Sequence, residues 1–557
     1  MRKILASILV PLAVVSFALP LSARGALTEE LPEANYSHER SIASAFLESI
    51  GVKSVKLEVE YSSDQLVTFA DERAAVYVIV ASEEYERYLD SPVLAWGEGD
   101  TIWKYSGIAR YSPDSHLVDR YESQLKGFKE NNTAYKAPEL PFLKDRASRK
   151  APLLGDIKYG QEAPYNKYFP TQSVNGKISH YVVGCGPVAL AQVLSYYRSK
   201  TPPTGEDFIK TGQGTKHTVR FQEYPFTWNE SNEALARLML CAAASVNATV
   251  SPEGSASALA DFKYALLSHW HYSPRCRYFQ KASDIDALSR IYVEIDERRP
   301  VIVADSTHMY VCDGYYKDYI HLNLGWDGSC NGYYRAFLSQ GGEPGILPFR
   351  EILTGILPLD PSAVKSVEVT VPKGGALASA LDESQRDGIT KLTVKGTLNG
   401  EDIAIVSQMA RDGSLMELDL SDATIVDGGC YITRSADNMS LSGYYSSGKQ
   451  KVRYHFDMSS LKPGQWKEME RMGLTDTPTR VIKKNPTGGY TASWFADNST
   501  IGPYMFDGCE NLLRIVLPRG TREVKGNAFF GCHSLVSVTG LPKNTSPKAF
   551  NNSRLGR

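Results

Sequence analysis

His180-Tyr181-Val182-Val183-Gly184-Cys185-Gly186-Pro187-Val188-Ala189-Leu190-Ala191-Gln192-Val193-Leu194 breaks the chain with a glycine, a cysteine and a second glycine, then runs into a helical pattern. Ala189, Gln192, Val193, Tyr196 and Tyr197 fall at helical spacing. The pattern places Cys185 at, or one residue ahead of, a helix N-terminus. Unpaired N–H groups and the helix dipole there favour negative charge, which lowers a thiol's pKa and raises its thiolate fraction. Thiolate is the nucleophile, so a catalytic cysteine belongs at such a place. Taken alone, the same residues also fit a small buried thiol, since free cysteine is among the most buried residue types.

The surroundings decide between these readings. Upstream, Tyr159 to Asn166 is a turn-rich stretch carrying Gln161. Downstream, Ser231 to Val246 reads as a helix, and a small-residue loop follows from Ser251 to Ser257. The texture then becomes β-rich: Pro300 to Ala304, Thr307 to Tyr315 and Tyr319 to Leu324 read as strands, and a glycine-rich turn from Gly325 leads to a fourth near Tyr333. A helical half with the cysteine and a β half with a histidine describe a two-lobed α+β enzyme with its cleft between the lobes.

Gln161, Cys185, His308 and Asn323 stand in that order, and thiol chemistry at a carbonyl can use each of them. Cys185 attacks, and His308 takes its proton and later hands one to the leaving amine. Asn323 is expected to hydrogen-bond the other ring nitrogen and fix the tautomer, while Gln161 and the Cys185 N–H donate to the oxyanion. His180 and His321 compete as bases on residue type alone. His180 is too near Cys185 in sequence to face it from another lobe, and His321 falls within a strand, so both read as structural. Cys312 and Cys330 are read as a pair or as core, and Asp313 and Asp327 as turn residues preceding glycines.

From Tyr159 to Leu359 the sequence resembles the streptopain family of papain-like cysteine peptidases, secreted bacterial enzymes made as zymogens. The resemblance lies in Gln161-Glu162-Ala163-Pro164-Tyr165-Asn166, Gly184-Cys185 with its helix, Arg299-Pro300-Val301, His308-Met309-Tyr310-Val311-Cys312-Asp313-Gly314 and His321-Leu322-Asn323-Leu324-Gly325-Trp326-Asp327-Gly328. It implies a nucleophile at Cys185, a base at His308 and an oxyanion donor at Gln161, with Asn323 and Trp326 beside the histidine. It also implies a substrate-lining wall at Ser255 to Ser257. Two positions depart from the family pattern: Thr307 replaces a glycine and is expected to narrow the cleft or change which side chains fit, and Leu324 replaces an aromatic shield.

At the N-terminus, Arg2 and Lys3 precede an apolar run from Ile4 to Leu19, then Leu21-Ser22-Ala23, the layout of a secretory signal peptide over residues 1–23. Residues 27–150 read as a small α+β domain with a helix at Ser41 to Ile50, strands at Leu57 to Tyr61, Leu66 to Ala70 and Ala75 to Ala81, and a helix at Asp119 to Asn131. The basic segment Phe142 to Lys150 suits proteolytic nicking. Ahead of a cysteine-enzyme module it reads as a propeptide junction, and the resemblance implies an inhibitory role for the domain. The peptidase domain is placed at residues 151–362.

Residues 363–557 change character. Lys391 to Gly400 and Leu415 to Ser421 are strand phrases, and Ile501 to Leu512 is echoed by Val524 to Leu535 about 23 residues on, within the range of leucine-rich repeats. One repeat cannot bury its apolar face alone, so Phe506, Leu512 and Ile515 are expected to stack on Phe529, Leu535 and Val538. Cys509 and Cys532 take equivalent positions. The region resembles leucine-rich repeats of bacterial surface antigens, which implies a recognition or tethering module. Ser435 to Asn498 is a polar insertion.

Composition bounds the function. A length of 557 residues calls for three or four units. A net charge of -2 and the lack of a basic stripe argue against nucleic acid. Eight cysteines, none before Cys185, make no disulfide framework, and there is no metal-ligand spacing. No apolar run after the signal is long enough to span a bilayer. The sequence therefore predicts a secreted, periplasmic or surface cysteine endopeptidase needing no cofactor or metal, acting on proteins or peptides, with a protein ligand for its repeats. Two alternatives remain at this level: a surface adhesin on a peptidase-like scaffold, and an enzyme using the same thiol for transpeptidation.

Overall fold

A computed structural model describes residues 36–98, 113–135, 149–174, 177–228, 231–252, 254–280, 284–305, 307–335, 350–437, 439–447 and 450–556. The segment expected as a signal peptide and the basic stretch up to residue 148 lie outside them. The chain divides into two compact units, one running to Pro358 and the other taking Leu359–Arg557 with Ser273–Arg275.

The first unit is built on one long antiparallel sheet. Its strands lie in the order Glu58–Ser62, Leu66–Asp71, Val76–Ala81, Val93–Glu98, Gly332–Arg335, Tyr319–Asn323, Met309–Tyr316, Val301–Ala304, Glu351–Thr354 and Arg277–Gln280. The N-terminal strands, expected as a separate small domain, thus extend the sheet that carries the histidine. The junction pairs Trp96 with Tyr333 and Ala95 with Tyr334. The Trp96 and Tyr333 rings stack there, 4.3 Å apart. The strand Val93–Glu98 was not legible in the sequence, because Pro92 opens it and Gly97 interrupts it. Gly97 is nonetheless required, since a Cβ there would fall into the Tyr77 ring and the Asn331 carbonyl.

Strands Leu66–Asp71 and Val76–Ala81 are buried at every position. They lack polar alternation because both faces are covered. Val67, Phe69, Val78 and Val80 pack with Ala43 and Leu47 of the helix Ser37–Ser49. Leu66, Tyr77 and Ile79 pack with Leu117, Tyr121 and Leu125 of the helix Pro113–Glu130.

The cysteine helix, Cys185–Tyr197, is buried at every residue from Gly186 to Ser195. A helix apolar on all sides must be enclosed on all sides. Here Asn232–Ser245 packs on it, as does the strand Met309–Tyr316. Burying each Val or Leu of this core contributes about 1.5–3 kcal/mol. The helical lobe also holds an antiparallel hairpin, Glu206–Thr211 with Lys216–Arg220, and a helix Leu259–Ser268.

In the second unit, parallel strands run Lys365–Val371, Ile389–Leu398, Glu417–Asp419, Arg514–Val516 and Ser537–Thr539. Leu392, Leu418, Ile515 and Val538 are in register across four of them. Phe506 stacks on Phe529 at 5.3 Å, and Phe529 on Phe550 at 5.3 Å, so the repeat has a third rung that the sequence comparison of two copies missed. Leu512, Leu535, Cys509 and Cys532 are all fully buried. The polar insertion folds into an antiparallel sheet, a separate hairpin Ser440–Ser447 with Gln450–Asp457, and a helix Pro463–Arg471.

Candidate active site

Two glycines make room for the nucleophile. Gly184 caps the helix at φ 95°, a left-handed conformation open to glycine, and a Cβ on it would lie 2.6 Å from that of Ser255. A Cβ on Gly186 would collide with the Ser257 hydroxyl and crowd the Met309 sulfur. Cys185 therefore sits at the helix start as expected, flanked by residues whose missing side chains let the Ser255–Ser257 wall and the histidine strand close in.

His308 follows the strand Val301–Ala304 across a tight turn, one residue ahead of the strand Met309–Tyr316, and meets Cys185 from the other lobe. Burial pushes the Cys185 thiol up, but the imidazolium charge and hydrogen bond of His308 outweigh it, together with the N–H groups of Met309 and Gly186. The thiol ends below its ordinary value. Burial likewise opposes charge on His308. The Cys185 thiolate, the Leu324 carbonyl and the Asp305 carboxylate prevail and raise it to about 9. The pair is a thiolate facing an imidazolium, and its titration belongs to the pair rather than to either group.

The orientation of the ring differs from the sequence expectation. His308 Nε2 bonds the Leu324 carbonyl oxygen at 2.9 Å, which leaves Nδ1 for the sulfur. Asn323 does not bond the ring: its Nδ2 donates to the Ile157 carbonyl at 2.8 Å and its Oδ1 accepts the Gly325 N–H. The side chain ties the β lobe to the segment leading into Gln161. Leu324 thus serves the histidine through its backbone while its side chain lies in the core. The aromatic cover comes from Trp326, stacked on the imidazole at 5.7 Å and 17°, and from Tyr310 on the same ring at 6.1 Å.

Gln161 is clamped by its surroundings. Its carbonyl accepts the Val183 N–H at 3.0 Å, and the neighbouring Tyr159 N–H donates to Gln192 at 3.1 Å. The turn that carries Trp326 reaches back as well, with Asp327 N–H donating to the Tyr159 carbonyl. Gln161 is buried, yet its Nε2 has no hydrogen-bond partner. A buried amide donor left unpaired costs about 1–3 kcal/mol.

Cys185, His308, Ser255, Ala256, Ser257, Ala304, Asp305 and Met309 line a cavity of about 10 Å³, room for about one water molecule. Ser255 and Ser257 lie on this wall as expected, although the Ser255 hydroxyl donates to the Val182 carbonyl and is a brace. Thr307 is not on the wall. Its N–H and hydroxyl both donate to the Asp305 carboxylate, at 2.7 and 2.9 Å, so the hydroxyl that replaces a glycine's hydrogen helps to hold the turn.

The remaining candidates are structural. His180 bonds the Phe169 carbonyl, and His321 bonds Asp313. Asp313 is not a turn residue: it is fully buried in the histidine strand and also accepts the Leu154 N–H. Asp327 does lie in a turn, at φ 54°. All eight cysteines are free, Cys312 and Cys330 included, and among the described residues no cluster of metal-ligating side chains occurs. Asp305 escaped the sequence reading; an aspartate opening a short turn before the histidine was the signal that would have found it.

The site therefore brings a thiol and an imidazole into hydrogen-bonded contact, with the ring held at its far nitrogen by a backbone carbonyl. Residues 159–334 match the profile of the Peptidase C10 family. Streptopain of Streptococcus pyogenes is 23% identical over 288 residues, covering 43% of this chain and 70% of the relative. Among solved structures, a fragment of Prevotella intermedia prointerpain A is 18% identical, covering 55% of this chain and 100% of that chain at a TM-score of 0.45. Active interpain A of the same organism is 22% identical, covering 40% and 98% at a TM-score of 0.32. Residues 159–334 are thus related to the papain-like cysteine peptidases of the C10 family, with their α+β fold.

Proposed function

We propose that this protein is a cysteine endopeptidase that hydrolyses peptide bonds through an acyl-enzyme. The thiolate of Cys185 attacks the scissile carbonyl, and the carbonyl oxygen takes the negative charge beside Gln161 Nε2 and the Cys185 N–H. His308 then gives its Nδ1 proton to the leaving amine as the C–N bond breaks. The neutral imidazole next takes a proton from water, whose oxygen attacks the thioester, and the thiolate leaves as the acid product forms. The hydrogen-bonded contact of Cys185, at the start of its buried helix, with His308 from the other lobe carries this reading.

The N-terminal region is read as an inhibitory prodomain. Supporting this are the shared sheet and the ion pairs that cross to it, Arg335 with Asp90 and Arg120 with Asp305. The stacked parallel strands of the second unit support a leucine-rich-repeat-like module, whose ligand is read as a protein, and the basic, apolar N-terminus supports export. Wild type and Cys185→Ala, incubated under reducing conditions and followed by N-terminal sequencing, test the proposal. Trimming between residues 144 and 151 in the wild type alone supports it; identical behaviour, with no epoxide labelling of Cys185, sinks it.

A further inference from the structure

Asp305 is buried at the start of the turn that delivers His308, and its two carboxylate oxygens have separate duties. Oδ1 accepts the Thr307 N–H at 2.7 Å, the Thr307 hydroxyl at 2.9 Å and the His308 N–H at 2.8 Å. Oδ2 meets Arg120 Nη1 at 3.0 Å. The Asp305 N–H closes the turn on the His308 carbonyl, also at 3.0 Å. The same residue lines the cavity beside Cys185. One carboxylate thus fixes the main chain of the histidine, faces its ring with a negative charge, and is gripped from outside by the helix Pro113–Glu130.

We propose that Asp305 is a positioning residue for His308, whose charge sustains the imidazolium, and that Arg120 partly cancels that charge for as long as the N-terminal region stays docked. This rests on the peptidase reading of the site. The charged and titratable groups facing Asp305 are Arg120, His308 and the Tyr310 phenol, and those facing His308 are Cys185 and Asp305. Arg120 and His308 are the two cations among them, on opposite sides of one carboxylate, so removing either frees attraction for the other. Burial raises Asp305, but Arg120 and the two N–H donors hold it below its ordinary value, so it is charged throughout the range in which His308 titrates. The N-terminal region would thereby tune the acid it covers, apart from any blocking of the cleft.

A purely structural Asx turn would leave the histidine's titration alone, and the substitutions separate the two roles. Asp305→Asn keeps an oxygen for the three donors and removes the charge. Arg120→Met leaves the carboxylate and removes its outside partner. The rate of iodoacetamide attack on Cys185 in the full-length chain would be followed against pH by mass spectrometry of the Cys185 peptide. The wild type should show a plateau ending near pH 9, where His308 loses its proton. Asp305→Asn should bring that upper step down by about one pH unit, the usual effect of losing a nearby opposite charge. Arg120→Met should move it up. A wild type without the plateau would sink the peptidase reading itself. A plateau whose upper step stays put in the variants overturns the role of Asp305, and Arg120→Met decides alone if Asp305→Asn does not fold.

Discussion

His308 Nε2 and the Leu324 carbonyl oxygen stand 2.9 Å apart, so a backbone acceptor, not a side chain, fixes the imidazole. A carbonyl on a strand end cannot rotate away, and it imposes one tautomer as firmly as an amide would. The adjacent Asn323 is left to fasten the Ile157 carbonyl.

Asn323→Ala should therefore act on stability more than on the histidine. Losing a buried hydrogen-bonded amide costs about 1–3 kcal/mol, read as a fall in Tm. The pH profile of Cys185 alkylation should keep its upper step. A step displaced by a full pH unit would return Asn323 to the ring.

Gln161→Ala should lower kcat about a hundredfold with KM little changed, the usual loss for one oxyanion donor. Its Tm should not fall in proportion, because Nε2 has no partner to lose. Turnover within threefold of wild type on a chromogenic peptide would remove Gln161 from the mechanism.

Gly186→Ala tests the close packing at the cleft. Its methyl would enter the space of the Ser257 hydroxyl beside the Met309 sulfur, and overpacking of this kind costs about 1–3 kcal/mol. Thermal unfolding should show the loss, and activity should fall further than stability because the displaced wall borders Cys185.

Phe529→Ala removes the middle ring of the Phe506, Phe529 and Phe550 stack. The second unit should lose about 3–5 kcal/mol, visible as a separate transition in calorimetry. Cys185 alkylation should be unchanged. Matching losses in both transitions would show that the two units melt together.

The pH dependence of the thiol has a defined sign. Cys185 lies below its ordinary value and His308 is raised to about 9, so the ion pair exists between the two and vanishes as pH rises through the upper one. His308 is raised on folding, so its contribution to stability is full below its unfolded value near 6.5 and is lost as pH climbs to about 9. An NMR titration should find His308 raised in wild type and lower in Cys185→Ala, where only the Leu324 carbonyl and Asp305 still favour its charge.

Legible in the amino-acid sequence were the candidate nucleophile Cys185 and its helix, the strand after His308, the turn-rich Gln161 segment and the stacking of Phe506 on Phe529. Each rests on local signals: a glycine pair before a helical period, a run of β-branched residues ending in a turn, a repeat in fixed register. Tertiary structure alone decided which groups meet. That Leu324 gives a carbonyl and Asn323 looks to Ile157 depends on how the strand Tyr319–Asn323 ends against a segment some 160 residues earlier. That Asp305 meets Arg120 depends on a helix folded back across a shared sheet, whereas the turn of Thr307 onto Asp305 is local. Hydrophobic period is set residue by residue along the chain, whereas the partner of a polar group is set by whatever long-range packing brings within 3 Å, and no spacing in the sequence records that distance.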